Sequence, residues 1–252
     1  GIFDINKLNL IQDYPNKQFF EETVKKGEIH KHWDSSQKNI CNEKKVKFLK
    51  THNSLITAFG NDFTKPEYSL GVIHVIRDPR NIITSLKNHY DFETYERALK
   101  FMQDENKVLE DYPHLKNYAK TNIINSWRIN YQSWMSNKNF RRLTIRYEDM
   151  IENPKQTFEK LVVFINTLMR FKDKIDPKKL SNALETTNFK SLQDIENQGK
   201  FSENVYSLND NRKIKFFYQG PENDWKKNLD KSMIKKMNEY YQNDLKFFQY
   251  ES

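Results

Sequence analysis

The stretch Gly71-Val72-Ile73-His74-Val75-Ile76-Arg77-Asp78-Pro79-Arg80-Asn81-Ile82-Ile83-Thr84-Ser85 changes its period half-way along. Gly71–Ile76 is a short, β-branched apolar run and reads as a buried strand. Asp78-Pro79 then supplies a helix start, and an amphipathic run with Ile82, Ile83 and Leu86 continues to about Tyr90. A buried strand that feeds directly into a helix is the building unit of a parallel sheet.

The same grammar recurs on either side. Val46–Leu49 is a second apolar strand and leads into Lys50-Thr51-His52; Leu143–Ile145 is a third and leads into Arg146-Tyr147-Glu148-Asp149. After the third comes Asn153-Pro154, an N-cap residue followed by proline at the first helical position. That helix carries Phe158, Leu161, Val162 and Ile165 on one face. Further helices are expected at about 94–109, at about 120–137 with Ile124, Trp127, Tyr131 and Trp134, and from about Lys231 to Tyr250. Alternating strands and helices predict an α/β fold, a central parallel sheet with helices on both faces, in one domain over residues 1–252. Ligands in such sheets bind at the carboxyl ends of the strands, where strand-to-helix turns present backbone N–H groups.

Composition narrows the class without choosing a function. Hydrophobic residues make up 37% of the chain, but 18 Phe, 13 Tyr and 4 Trp supply enough large apolar surface for a core and argue against disorder. The net charge of +8 is spread along the chain rather than gathered in a tail, which fits a phosphate pocket better than a nucleic-acid-binding arm. Cys41 is the sole cysteine, so no intrachain disulfide is available, and it reads as a half-buried spectator. No apolar run approaches the roughly 18–20 residues that span a bilayer, and no signal peptide is visible, so a cytoplasmic protein without membrane or nucleic-acid partners is expected. His30 and His32 beside Trp33 are too sparse a cluster for a metal site.

The residues just after each strand carry the candidate chemistry. His52 is placed to act as a general base, and Lys50 to meet the oxygens of a transferred group. Arg77 offers a planar fork of donors to a phosphate, and Ser85 follows eight residues later, two turns along the helix. Tyr147 is placed to line a nucleotide pocket, while Glu148 and Asp149 read as loop and cap residues. Gly220-Pro221 marks a turn after Phe216-Phe217-Tyr218-Gln219. Each has a plainer reading: a hydrogen-bonding loop histidine, an arginine meeting local carboxylates, a packing tyrosine, a surface loop.

Taken in order, these segments resemble the PAPS-dependent sulfotransferase family, PAPS being 3′-phosphoadenosine 5′-phosphosulfate. Lys50-Thr51-His52 is similar to the family's Lys-Thr-His, whose His deprotonates the acceptor. Ile76 to Ser85 resembles the 3′-phosphate motif, with Arg and Ser at the same separation. Asn125-Ser126-Trp127 resembles Gly-Ser-Trp, and Tyr147-Glu148-Asp149-Met150 the Tyr-Glu-Asp-Met/Leu block whose Tyr approaches adenine. Thr187-Asn188-Phe189-Lys190 resembles Thr-Ser-Phe-Lys, whose Thr and Phe also approach adenine. Asp224-Trp225-Lys226 matches the end of the C-terminal Arg-Lys-Gly loop, which places Gly220 at the nucleotide.

The resemblance implies a P-loop-NTPase-like three-layer sandwich and sulfuryl transfer from PAPS, releasing adenosine 3′,5′-bisphosphate (PAP), to a small-molecule or carbohydrate acceptor. It implies Lys50 and His52 as catalytic residues and Arg77, Ser85, Tyr147, Thr187, Phe189 and Gly220 as nucleotide-binding residues. Asp91–Lys120 and the residues before Val46 would build the acceptor pocket. The family differs at two places. Its Lys-bearing phosphosulfate loop matches none of the glycines at 1, 27, 60, 71, 199 and 220, so this loop is expected to lie ahead of Gly1. Its Arg-Lys-Gly is here Tyr218-Gln219-Gly220, which shifts the 3′-phosphate charge onto Arg77, helped by Arg212, Lys213 or Lys215. A non-catalytic PAP-binding protein of the same fold is the alternative, and a nucleic-acid-binding protein a more distant one.

Overall fold

The computed structural model describes residues 2–4, 28–41, 46–110, 121–172, 174–201, 205–207 and 209–250. Along the chain the strands are β1 (Ile2–Asp4), β2 (Phe48–Lys50), β3 (Thr57–Ala58), β4 (Asn61–Asp62), β5 (Val72–Ile76), β6 (Val108–Glu110), β7 (Thr121–Ile123), β8 (Arg142–Arg146), β9 (Val205–Tyr206) and β10 (Lys213–Ile214). The helices are α1 (Trp33–Cys41), α2 (Pro79–His89), α3 (Tyr95–Gln103), α4 (Trp127–Ser136), α5 (Tyr147–Glu152), α6 (Pro154–Met169), α7 (Pro177–Thr186), α8 (Phe189–Asn197), α9 (Trp225–Asn228) and α10 (Lys231–Phe247). They gather into two compact units, Gly1–Val72 with Gln103–Arg141, and Ile73–Met102 with Arg142–Ser252. No helix among the described residues is long and apolar enough to cross a membrane.

In the first unit β1 pairs in parallel with β2, Ile2 opposite Phe48 and Asp4 opposite Lys50. The core is aromatic: Trp33, Phe63 and Trp134 meet edge to face, with ring centroids 5.3 and 6.4 Å apart. Such pairs add about 0.5–1.5 kcal/mol beyond burial. The hairpin β3–β4 turns through Phe59 and Gly60, both at positive φ (48° and 79°). Cys41 is exposed rather than half-buried.

Two expected helices are shorter than their periodicity implied, and an antiparallel β6–β7 ribbon takes up the difference. Asp104 stops α3: its carboxylate accepts the Asn106 N–H at 3.0 Å and its carbonyl the Lys107 N–H at 3.2 Å, a turn that competes with the helical ladder. Asn125, in the left-handed region at φ 55°, precedes Ser126, whose hydroxyl accepts the Ile129 N–H and so starts α4 at Trp127. Residues 1, 5–27, 42–45 and 111–120 of the expected acceptor region lie outside the described residues.

The second unit pairs β5 with β8 and surrounds them with helices whose starts follow the capping rules. Asp78, Asp176, Asn188, Asp224 and Asp230 each accept a backbone N–H from the first turn they precede. Asn153 differs: its side chain makes no capping bond, and Pro154 alone marks the start of α6. Glu148 and Asp149, expected in a loop, lie in α5. Met233, Met237, Tyr241 and Leu245 of α10 are buried, and the helix kinks at Tyr241 and ends at Phe247, short of the expected Tyr250.

Candidate functional site

Arg77 leaves the carboxyl end of β5 and is held on three sides. Its Nη1 donates to Ser85 Oγ at 3.2 Å, its Nη2 to the Gly220 carbonyl at 3.3 Å, and its guanidinium lies 4.2 Å from the centre of the Tyr147 ring. Nε is buried with no hydrogen-bond partner. Burial draws the Arg77 pKa down, against the pull of Tyr147, Glu148 and Asp78. An arginine stays charged regardless, so the cost of desolvating it is uncompensated at Nε. An anion reaching this face would gain a donor that now has no partner.

The helix supplies the rest of the bed. Ser85 Oγ also accepts from Asn223 Nδ2 at 3.1 Å, and Asn223 Oδ1 accepts from Thr84 Oγ1 at 2.6 Å. Asn223 Nδ2 further reaches the Asn81 carbonyl, while Asn81 Oδ1 accepts the Trp225 N–H at 2.9 Å. Thus α2 and the turn around Gly220 are tied together by the two amide side chains of Asn81 and Asn223. Gly220 sits at φ 53°, and a Cβ there would run into the ring of Phe189, so the left-handed conformation favours glycine and the space beside Phe189 requires it. Arg77, Ser85, Tyr147, Phe189 and Gly220 therefore stand together. Thr187 does not join them: it is exposed at the end of α7, its hydroxyl donating to the Ala183 carbonyl at 2.6 Å.

Beneath this bed lies a buried ion pair. Arg80 Nη2 meets Asp78 Oδ2 at 2.8 Å, with the Arg80 guanidinium 4.0 Å from the centre of the Trp225 ring and bonded to Asn238 at 3.0 Å. Glu148 Oε1 accepts the Asp78 N–H at 3.0 Å. Asp78 and Glu148 thus meet at the start of α2. Arg212, a sequence candidate to aid Arg77, instead meets Asp91 at 3.3 Å and Asp210 at 3.5 Å. Gln219 Oε1 accepts from Asn228, and Tyr218 is exposed.

Lys50 and His52 belong to the first unit. Lys50 ends β2, and His52 stands exposed in the turn that follows. The backbone here is fixed from α4. Asn130 Nδ2 donates to the His52 carbonyl at 3.1 Å, Trp134 Nε1 to the Asn53 carbonyl at 2.9 Å, and Ser133 Oγ accepts the Leu55 N–H at 2.8 Å. Asn53, 1% exposed, accepts the Ile123 N–H on its own Oδ1 at 2.6 Å. These supporting residues were not singled out from sequence as a set, although Asn130, Ser133 and Trp134 carry a signal, polar and aromatic residues at i, i+3 and i+4 on one helix face.

A sulfotransferase-domain family model matches residues 5–249. Among solved structures, the mouse sulfotransferase SULT7A1 complexed with PAP aligns with TM-score 0.58 at 17% identity, over 84% of this chain and 70% of that one. A retinol dehydratase in complex with retinol and PAP aligns with TM-score 0.55 at 15% identity, over 81% of this chain and 54% of that one. A retinol dehydratase with androsterone and inactive cofactor PAP gives TM-score 0.55 at 14% identity, over 95% and 70%. These likenesses show the fold, α/β with a parallel sheet flanked by helices.

Proposed function

The chain belongs to the sulfotransferase domain family, and on that footing we propose that it moves a sulfuryl group from PAPS to a hydroxyl or amine acceptor. The observation that carries this reading is the Arg77–Ser85–Gly220–Tyr147 cluster, a half-buried guanidinium with a partnerless Nε at the start of a helix. Arg77 and Ser85 would hold the 3′-phosphate, with Tyr147 and Phe189 offering flat faces to the base. Bound PAPS supplies the sulfuryl group and leaves as PAP. His52 takes the acceptor proton, and Lys50 sets positive charge beside the developing negative charge. The retinol and androsterone named with the neighbouring structures support a small-molecule acceptor.

The test is PAP release from PAPS with phenolic, sterol and sugar acceptors. Turnover is expected in the parent chain, with His52→Ala losing it while still binding PAP and Arg77→Ala losing both. Full activity in His52→Ala would remove it as the base. The second reading, a PAP-binding protein without turnover, is favoured by Tyr218-Gln219, which brings no cation to the turn. PAP binding with no product from any acceptor would select it.

A further inference from the structure

Helix α8 carries Phe189, Gln193 and Glu196 at i, i+4 and i+7, on one face. All three meet the segment Phe216–Gly220. The Phe189 ring stands edge-on to Phe217, centroids 6.1 Å apart, and fills the space beside Gly220. Gln193 Nε2 donates to the Phe217 carbonyl at 3.0 Å. Glu196, 4% exposed, accepts the N–H of Phe216 on one carboxylate oxygen at 2.7 Å and that of Phe217 on the other at 3.0 Å.

A buried carboxylate costs free energy unless its charge is met by donors, and two consecutive backbone N–H groups meet it here. The consequence runs to the site. Three residues beyond Phe217, the Gly220 carbonyl accepts from Arg77 Nη2 while Nη1 holds Ser85. The direction of the guanidinium thus depends on where this segment sits. The segment brings no cation of its own that a nucleotide would draw into place, so its position must be set from the protein side.

We propose that Glu196 is a positioning residue for the donor nucleotide: from α8 it presets the Phe216–Gly220 segment so that Arg77 is already aimed at Ser85 before the ligand arrives. This rests on the donor-site reading above. Preset geometry raises affinity by removing the ordering cost of binding.

The experiment measures amide exchange at Phe216 and Phe217 by NMR, and PAP affinity by calorimetry, in Glu196→Ala and Glu196→Gln. Asp194→Ala, which breaks only the exposed Lys190–Asp194 pair on the same helix, is the control. Glu196→Ala is expected to lose protection at both amides and to weaken PAP binding roughly tenfold, equivalent to about 1.4 kcal/mol. Glu196→Gln, which keeps one acceptor oxygen, should fall between, and the control should match the parent. Parent-like exchange in Glu196→Ala, or lost protection with unchanged PAP affinity, overturns the inference while leaving the donor site standing. If Glu196→Ala fails to fold, unchanged PAP affinity in Gln193→Leu and Glu196→Gln overturns it equally. A parent chain that does not bind PAP overturns the donor reading, and this inference with it.

Discussion

Arg80 lies within the segment that resembles a phosphate-binding motif, yet its guanidinium is buried among protein partners. At 1% exposure its charge is supported by Asp78, Asn238 and the face of Trp225. Removing one member of a buried pair strands the other, at a cost of roughly 3–5 kcal/mol. Arg80→Met should lose that much in urea denaturation. Asp78→Asn with Arg80→Met should recover part of it, because Asn still caps α2 and carries no charge; a double variant as unstable as the single would refute this. Arg77 differs from Arg80 in its partnerless Nε, a distinction that the sequence Arg77-Asp78-Pro79-Arg80 does not contain. Tyr218 and Gln219 can be read without a structure, as two missing cations. Tyr218→Arg with Gln219→Lys should tighten PAP binding, each charge-assisted contact being worth about 1.5–3 kcal/mol; unchanged affinity in a titration would place these side chains away from the phosphate.

Among the elements, the strand-to-helix passages were legible because short apolar runs lead into helix-start residues, Asp78-Pro79 after β5 and Asn153-Pro154 after β8. The strands β3, β4, β6 and β7 were not. At two or three residues they carry no periodicity, and they form through turns at Asp104, Phe59-Gly60 and Asn125. Glu196 and Gln193 were invisible for a different reason: their partners are backbone groups some twenty residues away. Gly220→Ala adds a Cβ at φ 53° against the Phe189 ring, so it should lower stability, and Phe189→Leu should restore part of it by opening space. An additive double variant in thermal unfolding would contradict the contact. Trp134→Phe keeps the aromatic packing but deletes the bond to the Asn53 carbonyl beside His52. It should lower kcat while leaving PAP affinity unchanged; loss of PAP affinity instead would mean that α4 supports something other than the His52 turn.

For the molecule as a whole, Lys50 and His52, proposed as catalytic, fall in one compact unit, and Arg77, Ser85, Tyr147, Phe189 and Gly220, proposed to hold the nucleotide, fall in the other. Acid should weaken the fold through β5. Burial, aided by Arg142, holds the His74 pKa down to about 4 from 6.5. Folded His74 therefore binds fewer protons than the unfolded chain across that interval. Its contribution is full above pH 6.5 and is lost as pH falls towards 4, on the order of 3 kcal/mol. His74→Leu should flatten the unfolding free energy over this window; an unchanged slope would assign the acid sensitivity elsewhere. If the cluster around Arg77 holds a nucleotide with a 3′-phosphate, calorimetric titration with PAP and with 5′-AMP will tell the two apart. A clear preference for PAP that Arg77→Ala and Ser85→Ala each abolish is expected. Equal affinity for the two nucleotides, or a preference that survives both substitutions, would contradict it.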